Sequence, residues 1–118
     1  MCGIFGYIGP KNASEVILEG LKRLEYRGYD SWGIAVATGQ ISLKKQVGAI
    51  GDLPPSILHL PPSSTAIGHT RWATTGGVSD INAHPHYSTD KSFCLAQNGI
   101  VENYQELKKD LLKKGYKF

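Results

Sequence analysis

The second residue of the chain carries the first group that could do chemistry. The sequence begins Met-Cys-Gly-Ile, so a thiol at Cys2 directly follows the initiator methionine. A cysteine thiol has an ordinary pKa of ~8.5 and is weakly ionised at neutral pH, so a cysteine nucleophile needs a base beside it. If Met1 is removed, the α-amino group of Cys2, with an ordinary pKa near ~8, can act as that base. Taken alone, Met-Cys-Gly still favours the simpler interpretation, a small buried residue at the start of a strand.

A second stretch, His69 to Gly77, reads HTRWATTGG and is typical of a loop that follows a strand. Arg71 in this stretch can hold a carboxylate through two parallel hydrogen bonds. A surface salt bridge explains the same arginine equally well.

A third stretch is Gln97 to Ile100, QNGI. Asn-Gly is first of all a turn dipeptide, and the turn interpretation is favoured on these residues alone. The same dipeptide could present the Asn98 side-chain amide and the Gly99 backbone N–H to a developing oxyanion.

The histidines raise the question of a metal. His84 and His86 flank a proline, whereas His59 and His69 stand apart from them. A zinc site needs three or four ligands at workable spacing, and no CxxC or HExxH accompanies the pair. The sequence therefore predicts no metal site and no cofactor. Cys94 alternates within a predicted strand, which indicates a core position.

Composition narrows the class of protein. With 118 residues, 41% hydrophobic and 19% charged, the chain fits one globular domain or part of a larger one. No apolar stretch approaches the ~18 residues of a membrane span, and two cysteines fit a reducing cytoplasm. The net charge of +3 derives largely from five lysines near the end, Lys108, Lys109, Lys113, Lys114 and Lys117. Only Tyr116 stands among them, too few aromatic residues for a stacking platform, so we expect a solvated helix face rather than a nucleic-acid surface, and no membrane partner.

The elements that must position these residues follow from periodicity and turn signals. Strands are predicted at GIFGYIG, WGIAVAT, ISLKKQV, TAIGHT and FCLAQNGI, and helices at NASEVILEGLKRLEY and ENYQELKKDLLKKG. Ser14 is the expected helix cap, and Gly20 indicates close packing of the first helix. Gly39-Gln40 joins two strands as a hairpin. The proline-rich stretch 51–64 is expected to be a surface connection with one short helical turn. This order predicts a mixed α and β fold with helices packed against a sheet.

Five motifs in this order resemble the glutaminase domain of the class II glutamine amidotransferases. They are Cys-Gly-Ile at 2–4, LEYRGYDS at 24–31, HTRWAT at 69–74, NAHPH at 82–86 and QNGI at 97–100. The YRGYDS and HTRWAT motifs are most similar to the members that use fructose 6-phosphate as ammonia acceptor. The resemblance implies an α+β fold, the four-layer αββα sandwich of N-terminal nucleophile hydrolases, incomplete in this chain. It also implies that residues 2–118 are the N-terminal part of that domain, without its C-terminal half and without sugar isomerase domains.

The resemblance also implies roles for individual residues. Cys2 would attack the carboxamide carbon of L-glutamine with its own amine as base, and Asn98 with the Gly99 N–H would form the oxyanion hole. Arg71 would bind the substrate carboxylate. The other implied substrate-binding residues are Trp72, which gates the ammonia passage, Thr74, Thr75, and, in supporting roles, His84 and Arg27. The implied assembly at full length is a homo-oligomer.

Two departures from the family pattern keep alternatives open. Many members have histidine where this chain has Thr75, and the family's aspartate for the glutamine amine lies beyond the GYKF sequence at 115–118. Another class II amidotransferase, a non-catalytic interaction module and a Cys/His metal-binding domain are the alternative interpretations.

Overall fold

One four-stranded antiparallel sheet organises the chain. The computed structural model describes all residues, 1–118. In chain order its elements are β1 (Gly3–Ile8), α1 (Ala13–Leu24), a 3₁₀ turn (Glu25–Arg27), β2 (Ser31–Ala37), β3 (Ile41–Val47), a 3₁₀ turn (Pro55–Leu58), β4 (Thr65–Arg71), β5 (His86–Tyr87), β6 (Cys94–Leu95) and α2 (Tyr104–Lys113). The strand order is β1-β4-β2-β3, and β5 pairs only with β6. The predicted α+β class is confirmed.

Helix α1 covers one face of this sheet. Its apolar stripe buries Ile17, Leu18 and Leu21 completely against the strands. Gly68 on β4 allows this approach, since a Cβ there would collide with the Ile17 side chain. The complete core cluster is Ala13, Ile17, Leu18, Leu21, Trp32, Ile34, Val36, Ile50, Leu58 and Ala66. Because these residues come from residues 13–66, the N-terminal part of the chain holds nearly all of the core.

The cap of α1 differs from the prediction. The N-cap residue is Asn12, and its side chain donates to Glu15 Oε1 at 2.8 Å instead of capping a backbone N–H. Ser14 lies inside the first turn, where its hydroxyl donates to Asn12 Oδ1. The close packing expected at Gly20 is confirmed, because the Phe5 ring occupies the space that a Cβ would need.

The second sheet face is covered by a loop rather than a helix. Lys45 Nζ donates to the Ile81 carbonyl at 2.9 Å, and the Tyr87 hydroxyl donates to the Ile41 carbonyl at 3.1 Å. The 80–87 segment therefore lies across β2 and β3. This explains why all of β2 except its last residue is buried, whereas β1 alternates between its two faces.

The strand predicted at FCLAQNGI is mostly wrong. Only Cys94 and Leu95 form a strand, and Gln97, Asn98 and Gly99 lie in irregular backbone. Cys94 is half-buried in the small β5–β6 ribbon, so the predicted core position is also wrong.

Helix α2 forms as predicted and ends before Gly115, whose φ of +87° lies in the left-handed region that favours glycine. None of its residues is buried. Neither α1 nor α2 has the length and apolar character required to cross a membrane.

Candidate functional site

Strand pairing brings Cys2 to Trp72 across the sheet. In the β1–β4 register Gly3 lies opposite Thr70, so the residue before β1 lies beside the residues that end β4. The Trp72 backbone N–H donates to Cys2 Sγ at 3.3 Å, and the thiol in turn lies 3.7 Å from the Trp72 carbonyl oxygen. The thiol is therefore held by backbone groups of Trp72, at the end of the sheet where β1 begins and β4 ends.

Asn98 reaches the same place from the irregular segment after β6. Its Nδ2 donates to the Cys2 carbonyl at 3.2 Å, and its Oδ1 lies 2.8 Å from His69 Nε2. Gly99 follows with a φ of +125°, a conformation that side chains disfavour, and its N–H donates to no other group of the chain. Asn98 thus meets Cys2 although 96 residues separate them, and Gly99 with its free N–H directly follows Asn98.

Arg71 is buried at the end of β4 and folds the following loop around itself. Its guanidinium donates to the Thr75 carbonyl at 2.7 Å and to the Gly77 carbonyl at 3.0 Å. Asn82 adds a second donor to Gly77, at 2.9 Å. The loop predicted from HTRWATTGG is confirmed. The side chains of Thr74 and Thr75 form no hydrogen bond and do not join the group around Cys2.

Asp30 anchors the beginning of the same loop. Its carboxylate accepts hydrogen bonds from the Ala73 N–H and from the Ser31 hydroxyl. Its own backbone N–H donates to the Arg71 carbonyl at 3.1 Å. The YRGYDS segment, through Asp30, therefore holds the backbone on both sides of Trp72 by hydrogen bonds to Arg71 and Ala73.

Trp72 and Arg27 both contact the N-terminal residues, Trp72 through Cys2 and Arg27 through Met1. The Trp72 side chain is 43% exposed, and its ring meets the edge of Tyr29 at a centroid distance of 5.1 Å. The Arg27 carbonyl accepts a hydrogen bond from the Met1 ammonium, and the Arg27 guanidinium lies 3.8 Å from Met1 Sδ. Arg27 thus borders the site through contacts with Met1.

His84 supports the segment that carries Asn98. Its Nδ1 accepts the Gln97 N–H at 3.3 Å, and its ring stacks on His69 at a centroid distance of 4.6 Å. The His86 ring forms a T-shaped pair with the His84 ring at a centroid distance of 4.5 Å. Burial, followed by the nearby His69 and His86, lowers the pKa of His84 to about 4. The imidazole is therefore neutral at pH 7 and able to accept a hydrogen bond.

Sequence reasoning missed His69, which it placed apart from the other candidates. The structure puts this residue at the centre of the site, between Asn98 and His84. Its place at the start of HTRWAT, two residues before Arg71, was the available signal. No group of three or more His, Cys, Asp or Glu side chains is arranged to hold a metal ion.

Comparison with known proteins gives close matches over the whole chain. It is 56% identical over 120 residues to glutamine–fructose-6-phosphate aminotransferase (isomerizing) of Pyrococcus horikoshii. It is 50% identical over 119 residues to the enzyme of that name from Methanococcus maripaludis, and 52% identical over 119 residues to that from Chlamydia trachomatis. Each match covers 100% of this chain but 20% of the relative, so the chain spans about a fifth of their length. No protein-family model matches.

Two solved structures share the fold. The allosteric regulatory enzyme of purine biosynthesis matches with a TM-score of 0.82 at 30% identity. The glutamine phosphoribosylpyrophosphate amidotransferase of B. subtilis matches with a TM-score of 0.79 at 28% identity. Each match covers 100% of this chain and 26% of the solved chain. The resemblance stated from the five motifs is confirmed: this chain is similar over its whole length to the N-terminal fifth of the glutamine–fructose-6-phosphate aminotransferases, and its fold matches part of the class II amidotransferase glutaminase domains.

Proposed function

We propose that this chain carries the nucleophile and oxyanion hole of a glutaminase that releases ammonia from L-glutamine. The observation that supports this most is the contact between Cys2 and Asn98, which Gly99 directly follows. Thiol attack on a carboxamide requires these residue types, namely a nucleophile and two hydrogen-bond donors for the oxyanion.

The attack step follows from the Cys2 environment. After loss of Met1, the free amine of Cys2 takes the thiol proton, and the sulfur bonds to the carboxamide carbon of glutamine. The carbonyl π electrons move to oxygen and form an oxyanion. The Trp72 N–H, which donates to Sγ at 3.3 Å, stabilises negative charge on sulfur before the attack.

The oxyanion would be bound by Asn98 and Gly99. An amide nitrogen carries two hydrogens, and the Cys2 carbonyl accepts one from Asn98 Nδ2, which leaves the second for substrate. The Gly99 N–H is the other donor. When the C–N bond breaks, the protonated Cys2 amine gives its proton to the leaving nitrogen, and water then hydrolyses the thioester to glutamate.

Binding of the substrate α-carboxylate is assigned to Arg71. Two of its N–H groups already hold the Thr75 and Gly77 carbonyls, which orients the remaining donors. The loop that follows Arg71 contains Trp72, Thr74 and Thr75. These residues are proposed to close over the glutamine. His84 and Arg27 support the site from the Asn98 segment and from the terminus.

The acceptor of the ammonia is proposed from the relatives, which are named for fructose 6-phosphate. This part of the proposal concerns regions outside residues 1–118. Likewise, assignment of residues 2–118 as the N-terminal part of a type 2 amidotransferase domain, and homo-oligomer formation, stay predictions.

A labelling experiment tests the nucleophile in the full-length gene product. A glutamine analogue with a chloroketone in place of the carboxamide should add one equivalent to Cys2 of protein that has lost Met1, as read by peptide mass. Cys94 is the matched control thiol, because burial raises its pKa and makes it a weaker nucleophile at neutral pH. Cys2→Ser should abolish labelling and ammonia release, and Cys94→Ser should preserve both. An adduct on Cys94, or glutamine binding without hydrolysis, would instead favour the non-catalytic interpretation.

A further inference from the structure

The Asn98 side chain is held at both ends, and this fixes its orientation. The Cys2 carbonyl can only accept a hydrogen bond, so the Asn98 atom 3.2 Å from it is the amide nitrogen. The amide oxygen must then face His69 Nε2 at 2.8 Å. Because that oxygen has no hydrogen to give, His69 is the donor, and its Nε2 carries the proton.

The position of His69 suits a fixed donor. It lies on the inner strand β4, paired with Gly33 of β2 and Ile4 of β1, and its side chain is 1% exposed. Burial lowers the pKa of His69 against the opposing effect of the Asn98 hydrogen bond. The neutral ring has a single N–H, and Nδ1 has no hydrogen-bond partner. That single N–H is therefore directed at Asn98.

His84 holds the backbone beside the same residue. Its ring stacks on His69 at 4.6 Å, and its Nδ1 accepts the N–H of Gln97, the residue that precedes Asn98. One imidazole thus fixes the Asn98 side chain and the other fixes the adjoining peptide. Without His69 only the Cys2 carbonyl would hold the Asn98 amide, whose terminal torsion has a broad and roughly two-fold profile.

We propose that His69 is a positioning residue of the glutaminase site, which aims the free N–H of the Asn98 amide at the carbonyl oxygen of the carboxamide that Cys2 attacks. This inference rests on the function proposed above. His69 touches neither the thiol nor the substrate in this scheme and acts only through Asn98. Its removal should therefore slow the chemical step and leave glutamine binding and thiol reactivity nearly unchanged.

Two amide substitutions separate this role from a general structural one. In His69→Gln the new amide nitrogen can stand where Nε2 stands, whereas in His69→Asn it reaches only the Nδ1 position. In the full-length gene product, His69→Asn should lower kcat for ammonia release roughly 100-fold, the effect of a misplaced catalytic group, with little change in KM. His69→Gln should retain most of the activity. Alkylation of Cys2 by iodoacetamide, which needs no oxyanion hole, should proceed at the same rate in both variants and in His59→Asn, an exposed control.

A double variant provides the decisive comparison. In an Asn98→Ala background, His69→Asn should cause no further loss of kcat, because the group that it positions is gone. Equal kcat values for the Gln and Asn variants, a change in KM alone, slowed alkylation or additive losses would each overturn the inference. If His69→Asn lowers Tm to the point of unfolding, His69→Phe replaces it, since Phe keeps the ring stack and lacks the donor. Absence of hydrolysis in the parent protein would overturn both proposals, whereas hydrolysis with equal Gln and Asn variants overturns this one alone.

Discussion

Residues 1–71 and residues 72–118 are built differently, and the candidate site lies where they meet. Of the 23 buried residues, only Ala83 and Pro85 lie beyond Arg71. The first part has a helix packed on four paired strands. The second part has a ribbon of two short strands, each of two residues, and a helix with no buried residue.

The proposed nucleophile and carboxylate-binding residue are supported differently from the proposed oxyanion donors. Arg71 ends β4, where it pairs with Ser31 of β2, and Cys2 directly precedes β1. Asn98 and Gly99 stand on irregular backbone that depends on a few hydrogen bonds, to the His69 and His84 rings and to the Cys2 carbonyl. Rigidity comes from packing in one part and from individual hydrogen bonds in the other.

The sharpest test of this contrast compares one leucine from each helix. Leu21→Ala on α1 removes a fully buried side chain and should lower the free energy of unfolding by about 2–5 kcal/mol. Leu107→Ala on α2, where the side chain is 45% exposed, should change it by no more than about 0.5 kcal/mol. Urea unfolding followed by the fluorescence of buried Trp32 measures both. Equal losses would show that α2 is packed as tightly as α1 and that the two parts do not differ in packing.

The second test removes the proposed oxyanion donor. Asn98→Ala should raise the barrier to glutamine hydrolysis by roughly 3–4 kcal/mol, measured as kcat in the full-length gene product. Asn103→Ala is the matched control, because the Asn103 side chain makes no capping hydrogen bond at α2. A similar kcat for the two variants would exclude Asn98 from the oxyanion hole.

The accuracy of the sequence-based predictions differs between the same two parts of the chain. The strands and helices of residues 1–71 were predictable because their apolar period and turn residues agree with the packing, as at Gly39-Gln40 and Gly20. In the second part, FCLAQNGI has the apolar content of a strand, but most of it has no partner strand in this chain. Propensity alone therefore overestimated strand length there, since a strand needs a neighbour to satisfy its backbone.

The candidate site was predictable as residue types but not as contacts. Motif order indicated Cys2, Arg71 and Asn98, and the structure brings Cys2 and Asn98 together. The hydrogen bond between His69 and Asn98 could not be predicted from the sequence. Alternation along β4 predicts which face of the sheet His69 occupies, but it does not identify a partner 29 residues away. The engagement of Arg71 by carbonyls of its own loop was likewise not predictable, since it depends on how residues 72–77 fold back.

A third test probes the contact between the two parts at Gly33. A Cβ at this position of β2 would collide with the His84 carbonyl oxygen and lie 3.0 Å from Lys45 Cγ. Gly33→Ala should therefore lower the free energy of unfolding by about 1–3 kcal/mol, as overpacking typically does. Gly6→Ala on β1 is the control, because no atom lies within 4 Å of its added Cβ. If both variants unfold at the same urea concentration, the 80–87 segment does not press against the sheet as described.

The smallest expected effect is a pH dependence that arises from the His84 contact. The pKa of His84 is about 4 in the folded chain, against an ordinary value near 6.5, with burial as the main cause and His69, His86, Arg71 and Lys45 as the facing charges. Between these two values the unfolded chain binds the proton and the folded chain does not, so the free energy of unfolding falls as pH drops from 6.5 toward 4. His84→Asn keeps an acceptor for the Gln97 N–H but cannot titrate. It should flatten this slope and leave the remainder that His69 and His86, whose pKa values are also lowered, contribute. Urea unfolding at pH 7, 6, 5 and 4 measures the difference, and identical slopes in the two proteins would mean that the irregular segment is not held through a neutral His84.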